Sequence, residues 1–201
     1  MNLKLKNKSK TIYWIYFDDD IWGILPGKVL HFFDLTQAGE YDIDNTSYQK
    51  IQNELEKFAW EKLLKYLAYK ERSRKECEQY LKKLGFRPKL IEKLLQRSEK
   101  YNYINEKRFA ELFCQNQIGK GKSQREVKTK LFSKGIDEKL INQVLTENYS
   151  QQKKEEILEK NIKKAIRKYS NLEERKRKEK IINYMVRKGF GYYDIIEKLD
   201  K

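Results

Sequence analysis

The sequence predicts an all-α protein over most of its length: tandem three-helix, helix-turn-helix-like repeats in an elongated curved array, with a small β-hairpin/helix unit at the N-terminus. Three observations carry that expectation. Apolar residues fall into a helical period from about Ser47 onward. The chain then repeats itself at a fixed offset. Before Ser47, β-branched and aromatic residues cluster between turn signals.

In the N-terminal unit, Thr11-Ile-Tyr-Trp-Ile-Tyr-Phe17 reads as a strand, Asp18-Asp19-Asp20 as a turn and Ile21-Trp22-Gly23-Ile24-Leu25 as the returning strand. Pro26-Gly27 breaks the run, Lys28 to Leu35 suits a short helix, and Tyr41-Asp-Ile43 a third strand. A lone hairpin is marginal in water, so this unit must pack on something, with the first long helix the natural candidate. That helix carries Leu55, Phe58, Ala59, Leu63, Tyr66 and Leu67 on one face.

The repeat aligns Ser73 with Ser123, Glu76 with Glu126, Leu81 with Leu131 and Gly85 with Gly135, all 50 residues apart. Downstream, Leu90, Ile91 and Leu95 match Leu140, Ile141 and Leu145. In a third, more divergent copy, Ile181, Met185, Gly189, Phe190, Ile195 and Leu199 take the places of Val127, Leu131, Gly135, Ile136, Ile141 and Leu145. Each match has a physical reason. Ser-x-x-Glu is a capping box that starts a helix. Cys77, Leu81 and Leu84 then share a face, and each glycine ends the helix in a left-handed conformation. Pro88 and Asp137 fit the first turn or cap of the next helix. Each repeat is therefore three helices, giving expected boundaries of 1–50 for the leader and 51–104, 105–150 and 151–201 for repeats 1, 2 and 3.

Composition bounds the function. Charged residues make up 37% of the chain, with only 2 prolines, while 3 Trp, 14 Tyr and 9 Phe argue against disorder. No apolar run approaches the roughly 20 residues of a membrane span, and Met1–Lys10 is not followed by a signal-peptide core, so a cytoplasmic protein is expected. The two cysteines, Cys77 and Cys114, occupy apolar helix positions and read as buried, inert thiols. His31 is the single histidine, which excludes a multi-histidine metal site, and a lone triad built on it has no supporting motif. With no phosphate-binding loop either, neither an enzyme nor a cofactor is expected. The net charge of +15 is uneven: residues 1–56 hold 6 Lys/Arg and 9 Asp/Glu, a balance of −3, leaving +18 on the remainder. That excess favours a polyanion or an acidic protein groove as partner over a mere solubility charge.

Basic clusters surround the two serine caps. Arg72, Arg74 and Lys75 flank Ser73, with Lys82 and Lys83 on the same helix; Lys120, Lys122 and Arg125 flank Ser123, with Lys128 and Lys130 following. These ten are the candidate partner- or DNA-binding residues, although an ordinary solvated face accounts for any one of them equally well. Gly119-Lys-Gly121 reads as a helix end plus a linker in preference to a direct phosphate contact. Tyr69, Tyr101, Tyr103, Tyr192 and Tyr193 are candidates for base stacking, though such tyrosines more often bridge packing and water.

From Ala59 to Lys201 the sequence resembles the RecX family of bacterial recombination regulators. The resemblance lies in Tyr66-Leu-Ala-Tyr-Lys-Glu-Arg-Ser73, Tyr80-Leu-Lys-Lys-Leu-Gly-Phe86, Tyr103-Ile-Asn-Glu-Lys-Arg-Phe-Ala110, Gly119-Lys-Gly121 and Leu131-Phe-Ser-Lys-Gly-Ile136, together with the triple repeat. It departs from the family at Asn105-Glu106, where an acidic pair is usual, and in the Lys/Arg-heavy Arg175-Lys-Arg-Lys178. The resemblance implies a non-enzymatic monomer acting in DNA repair and the SOS response. It would lodge in the groove of the RecA–DNA filament, limiting filament extension, ATPase, strand exchange and co-protease activity. The implied partners are the RecA filament and single-stranded DNA, with duplex DNA a further candidate, and no membrane. The competing expectation is a stand-alone basic helical DNA- or RNA-binding protein without RecA dependence.

Overall fold

Strands β1 (Asn2–Asn7), β2 (Ile12–Phe17), β3 (Asp20–Pro26) and β4 (Gly39–Asp42) form an antiparallel sheet in the order β3-β2-β1-β4. A computed structural model describes residues 1–200 of the chain, which divides into two units, Met1–Asn105 and Glu106–Lys201. The expected β2–β3 hairpin is present. Its turn residues Asp18 and Asp19 have φ of 47° and 66°, the pair of left-handed residues that matches the twist of the flanking strands. Trp22 is the extra residue of a bulge, since Ile15 faces Gly23 while Tyr16 faces Ile21.

Strand β1 is an addition to the expected elements. Leu3 and Leu5 are buried while Lys4 and Lys6 alternate with them, a period of two. The expected third strand forms as β4 and pairs with β1, Leu3 opposite Tyr41. Between β3 and β4, helix α1 (Gly27–Leu30) runs into a 3-10 turn over His31–Phe33. It ends at Phe33, two residues short of the expected Leu35, where Asp34 turns left-handed at φ 57°.

Helix α2 (Asn45–Tyr69) starts on Asp44, whose carboxylate accepts from Ser47 N–H at 2.6 Å. It buries Ile51, Leu55, Ala59 and Leu63, spaced four apart. Phe58, Tyr66 and Leu67, expected on the same face, are partly buried at its margins. With α3 (Arg74–Lys83) and α4 (Pro88–Lys100) it makes the first three-helix module. Sheet and module share one core, in which Leu3, Ile15 and Phe17 join Leu55, Leu81 and Leu94. That shared burial is what a sheet this small needs. The sheet docks on the turn between α3 and α4: Phe86 lies against Gly23, Trp14 against Gly85, and the Arg87 guanidinium 3.2 Å from the Trp22 ring centroid.

In the second unit, α5 (Glu106–Gly119), α6 (Gln124–Ser133) and α7 (Glu138–Asn148) form the second module. Helices α8 (Gln151–Lys168), α9 (Glu174–Arg187) and α10 (Tyr192–Leu199) form the third. The middle helix of every module ends as the glycine spacing predicts. Gly85, Gly135 and Gly189 have φ of 85°, 82° and 81°. The following amide donates back to the same place each time: Phe86 to Leu81 O, Ile136 to Leu131 O and Phe190 to Met185 O, at 3.3, 3.3 and 3.2 Å. These are Schellman turns, closed by the apolar residue after the glycine.

The two capping boxes differ from expectation in one half. Ser73 Oγ accepts from Glu76 N–H at 3.2 Å and the Glu76 carboxylate accepts from Ser73 N–H at 3.1 Å, a complete box. Ser123 Oγ caps Glu126 N–H at 3.1 Å, but Glu126 turns its carboxylate to Lys122 and Lys130.

A Cβ at position 85 would both adopt the left-handed region and meet the Trp14 ring. Gly85→Ala is expected to cost about 1–2 kcal/mol from the backbone alone, and more from the overlap. A lowered urea midpoint at unchanged slope checks it.

Candidate partner and nucleic-acid interface

The capping serines place the basic clusters by fixing where α3 and α6 begin. Around Ser73, Arg72 lays its guanidinium 4.1 Å from the Tyr66 ring centroid, and Tyr66 stacks parallel on Tyr80 at 4.1 Å. Arg74 reaches across to α4, donating twice to Glu92 at 2.8 and 2.7 Å and pairing with Glu99 at 2.9 Å. Lys82 pairs with Glu78 at 2.5 Å. Lys75 and Lys83 are exposed on α3, and Lys83 makes no ion pair among the described residues.

Around Ser123, Lys122 and Lys130 bracket Glu126 at 2.8 and 2.9 Å. Burial works to raise the Glu126 carboxyl, but the hydrogen bonds from these two lysines outweigh it and hold the group below the usual carboxylate range. Lys128 pairs with Glu138 at 2.9 Å and contacts Asn142 at 3.2 Å. Lys120 and Arg125 are exposed and make no ion pair among the described residues. The ten candidates thus separate by their partners. Arg74, Lys82 and Lys128 pair with carboxylates, Lys122 and Lys130 share the single carboxylate of Glu126, and Arg72 lies on the Tyr66 ring. Lys83, Lys120 and Arg125 present uncompensated charge, and Lys75 adds an exposed cation.

The Gly119–Lys122 segment is a helix end and a linker, with Gly121 left-handed at φ 71°. Its backbone is also a docking rail for neighbouring helices, a role the sequence reading missed. Asn161, buried on α8, donates to Gly121 O at 2.9 Å and to Ile157 O at 2.8 Å, and accepts from Lys188 Nζ at 3.2 Å. Tyr149 donates its hydroxyl to Lys122 O at 2.9 Å, and burial pushes that hydroxyl's pKa up. Ser123 Oγ, besides capping α6, donates to Lys188 O at 2.6 Å. The available signal was Asn161 itself, a polar residue in the apolar stripe of Leu158, Ile162 and Ala165.

A cleft of about 880 Å³ opens beside this network, lined by Arg125, Lys128, Lys154 and Lys198 but also by Asp194 and Glu197. Its mixed charge makes it no dedicated anion pocket. Among the described residues, no group of three or more His, Cys, Asp or Glu side chains could hold a metal, and no helix is long and apolar enough to cross a membrane. The arrangement offers charged and aromatic helix surfaces for binding.

Comparison with known proteins agrees with that architecture. Sequence models of the first, second and third three-helix domains of RecX match residues 59–97, 105–145 and 153–199 in that order. The regulatory protein RecX of Bacillus licheniformis is 31% identical over 192 residues, covering 95% of this chain and 72% of its own. A crystal structure of a regulatory protein RecX shares the fold, with a TM-score of 0.71 at 24% identity over 99% of this chain and 100% of that one. The crystal structure of RecX from Lactobacillus salivarius gives a TM-score of 0.63 at 28% identity, over 72% of this chain and 96% of that one.

Two outcomes are expected. Ser73→Ala removes a cap and costs roughly 1 kcal/mol. Ser123→Ala also leaves Lys188 O without its donor and so costs more, by about 1–3 kcal/mol; equal urea midpoints for the two variants would contradict the network. Burial pushes the Cys77 thiol up to about 12 and the Cys114 thiol up to about 11. Both should therefore resist a thiol-reactive dye at neutral pH in the native protein and react on unfolding.

Proposed function

The chain belongs to the RecX family, and from that premise we propose that it is a non-enzymatic regulator of a RecA-type recombinase, acting in the cytoplasm as a monomer. It lodges in the groove of the RecA–DNA filament and limits filament extension, ATPase, strand exchange and co-protease activity. The ordered correspondence of all three modules with the family's three domains carries this reading.

The physical chemistry supports it. The excess of +18 resides in residues 57–201, the region the modules occupy. A filament on DNA is a polyanion, and charges of this sign speed encounter and add counterion release to affinity. Tandem modules that engage successive sites on one filament bind the second and third site intramolecularly, so modest contacts sum to tight binding. Lys83, Lys120 and Arg125 are the cations best placed to act in such contacts, because no internal carboxylate claims them.

The test is the ATPase of RecA on single-stranded DNA, with this protein titrated in at fixed, moderate salt. Activity should fall while the protein is still well below the RecA concentration. Lys120→Glu with Arg125→Glu should weaken that inhibition several-fold at unchanged circular dichroism, whereas Lys82→Gln should leave it near the native value. If activity falls only once the DNA itself is saturated, competition for DNA is the whole effect and the stand-alone nucleic-acid-binding reading replaces this one.

A further inference from the structure

Where α4 ends, four side chains collect into one cation–aromatic cluster. Asn102 turns left-handed at φ 57°, and the amides of Asn102 and Tyr103 donate back to Glu99 O and Ser98 O, both at 2.8 Å. The turn leaves Tyr101 and Tyr103 at 55% and 47% exposure, their ring centroids 6.0 Å apart. Tyr103 lies 6.1 Å from Trp60 of α2. The Arg97 guanidinium lies 4.3 Å from the Trp60 centroid and 5.9 Å from that of Tyr101.

The two tyrosine rings lie outside the apolar core of this unit, about half exposed. Ile104, beside them, is the residue the turn buries, at 3% exposure. Charge around the cluster is also arranged in one direction. Helix α4 carries Lys89, Lys93, Arg97 and Lys100 against Glu92 and Glu99. Arg74 takes both of those carboxylates, at 2.7 and 2.9 Å, and Glu56 takes Lys93 at 2.6 Å. Exposed Arg97 and Lys100 therefore stand as a net cationic edge beside two exposed rings. Aromatic faces stack on any base, and adjacent cations meet the phosphates. A duplex keeps its base faces inside, so this combination fits an unpaired strand.

We infer that the Trp60–Arg97–Tyr101–Tyr103 cluster is a contact site for single-stranded nucleic acid. Bases stack on Tyr101 and Tyr103, Arg97 and Lys100 hold the phosphates, and Trp60 positions the Arg97 guanidinium. The inference deepens the regulatory reading, resting on it only for the presence of DNA.

The experiment measures fluorescence anisotropy of the full chain with three labelled probes: an oligothymidylate, an abasic deoxyribose-phosphate strand of the same length, and a duplex. The oligothymidylate should bind most tightly. Tyr101→Ala with Tyr103→Ala should weaken it roughly tenfold or more, while Tyr101→Phe with Tyr103→Phe, which keeps both rings, should bind as the native protein does. The native protein should hold the abasic strand about as weakly as the alanine variant holds oligothymidylate. Equal native affinity for the abasic strand or the duplex, a comparison that needs no variant, would overturn the inference, as would an alanine variant that binds like the native chain. RecA takes no part in these measurements, so failure here is distinct from failure of the ATPase titration.

Discussion

Each module reverses direction at a single left-handed residue, and the rest of its structure depends on that reversal. The middle helix must stop within one residue for the third helix to fold back onto the core, and an L side chain in that conformation costs about 1–2 kcal/mol. At Gly85 and Gly189 a second constraint is superposed. The space a Cβ would need is occupied by Trp14 in the first unit and by the Ser123 hydroxyl and Arg125 in the second. The turn therefore serves two purposes: it ends a helix, and it presents a bare backbone against which another element can close.

Much of this was legible in the chain. Glycine, serine cap and apolar period each act locally, so three-helix modules follow from residues a few positions apart. The hairpin was equally readable, because Asp18 and Asp19 tolerate the left-handed turn it requires. Strand β1 was not, since Leu3 and Leu5 alternate with lysines over too short a run to declare themselves before β2 and β4 pair on either side. The second half of the Ser123 box was hidden for a different reason. Glu126 has a local amide and two lysines competing for it, and only the fold decides which it reaches.

The candidate interface was legible in position but not in charge state. Sequence places the cations around the caps, while the carboxylates that pair with them arrive from α4, from α7 or from one turn away. Exposed ion pairs contribute little stability, typically about 0–1 kcal/mol, so pairs such as Lys82–Glu78 are better understood as setting which cations stay available. Arg74 is the clearest case: a candidate partner contact by position, it also pairs with Glu92 and Glu99 on the neighbouring helix.

Phe190 packs against the cores of both the second and the third module, and the Lys188 carbonyl beside it is held by Ser123. The second and third modules therefore share a seam, in which one side chain covers part of both interiors. A change at Ser123, Asn161 or Phe190 therefore bears on both modules at once, whereas a change in the largely exposed Arg175–Lys178 run of α9, which has no side-chain cap, bears on the third alone.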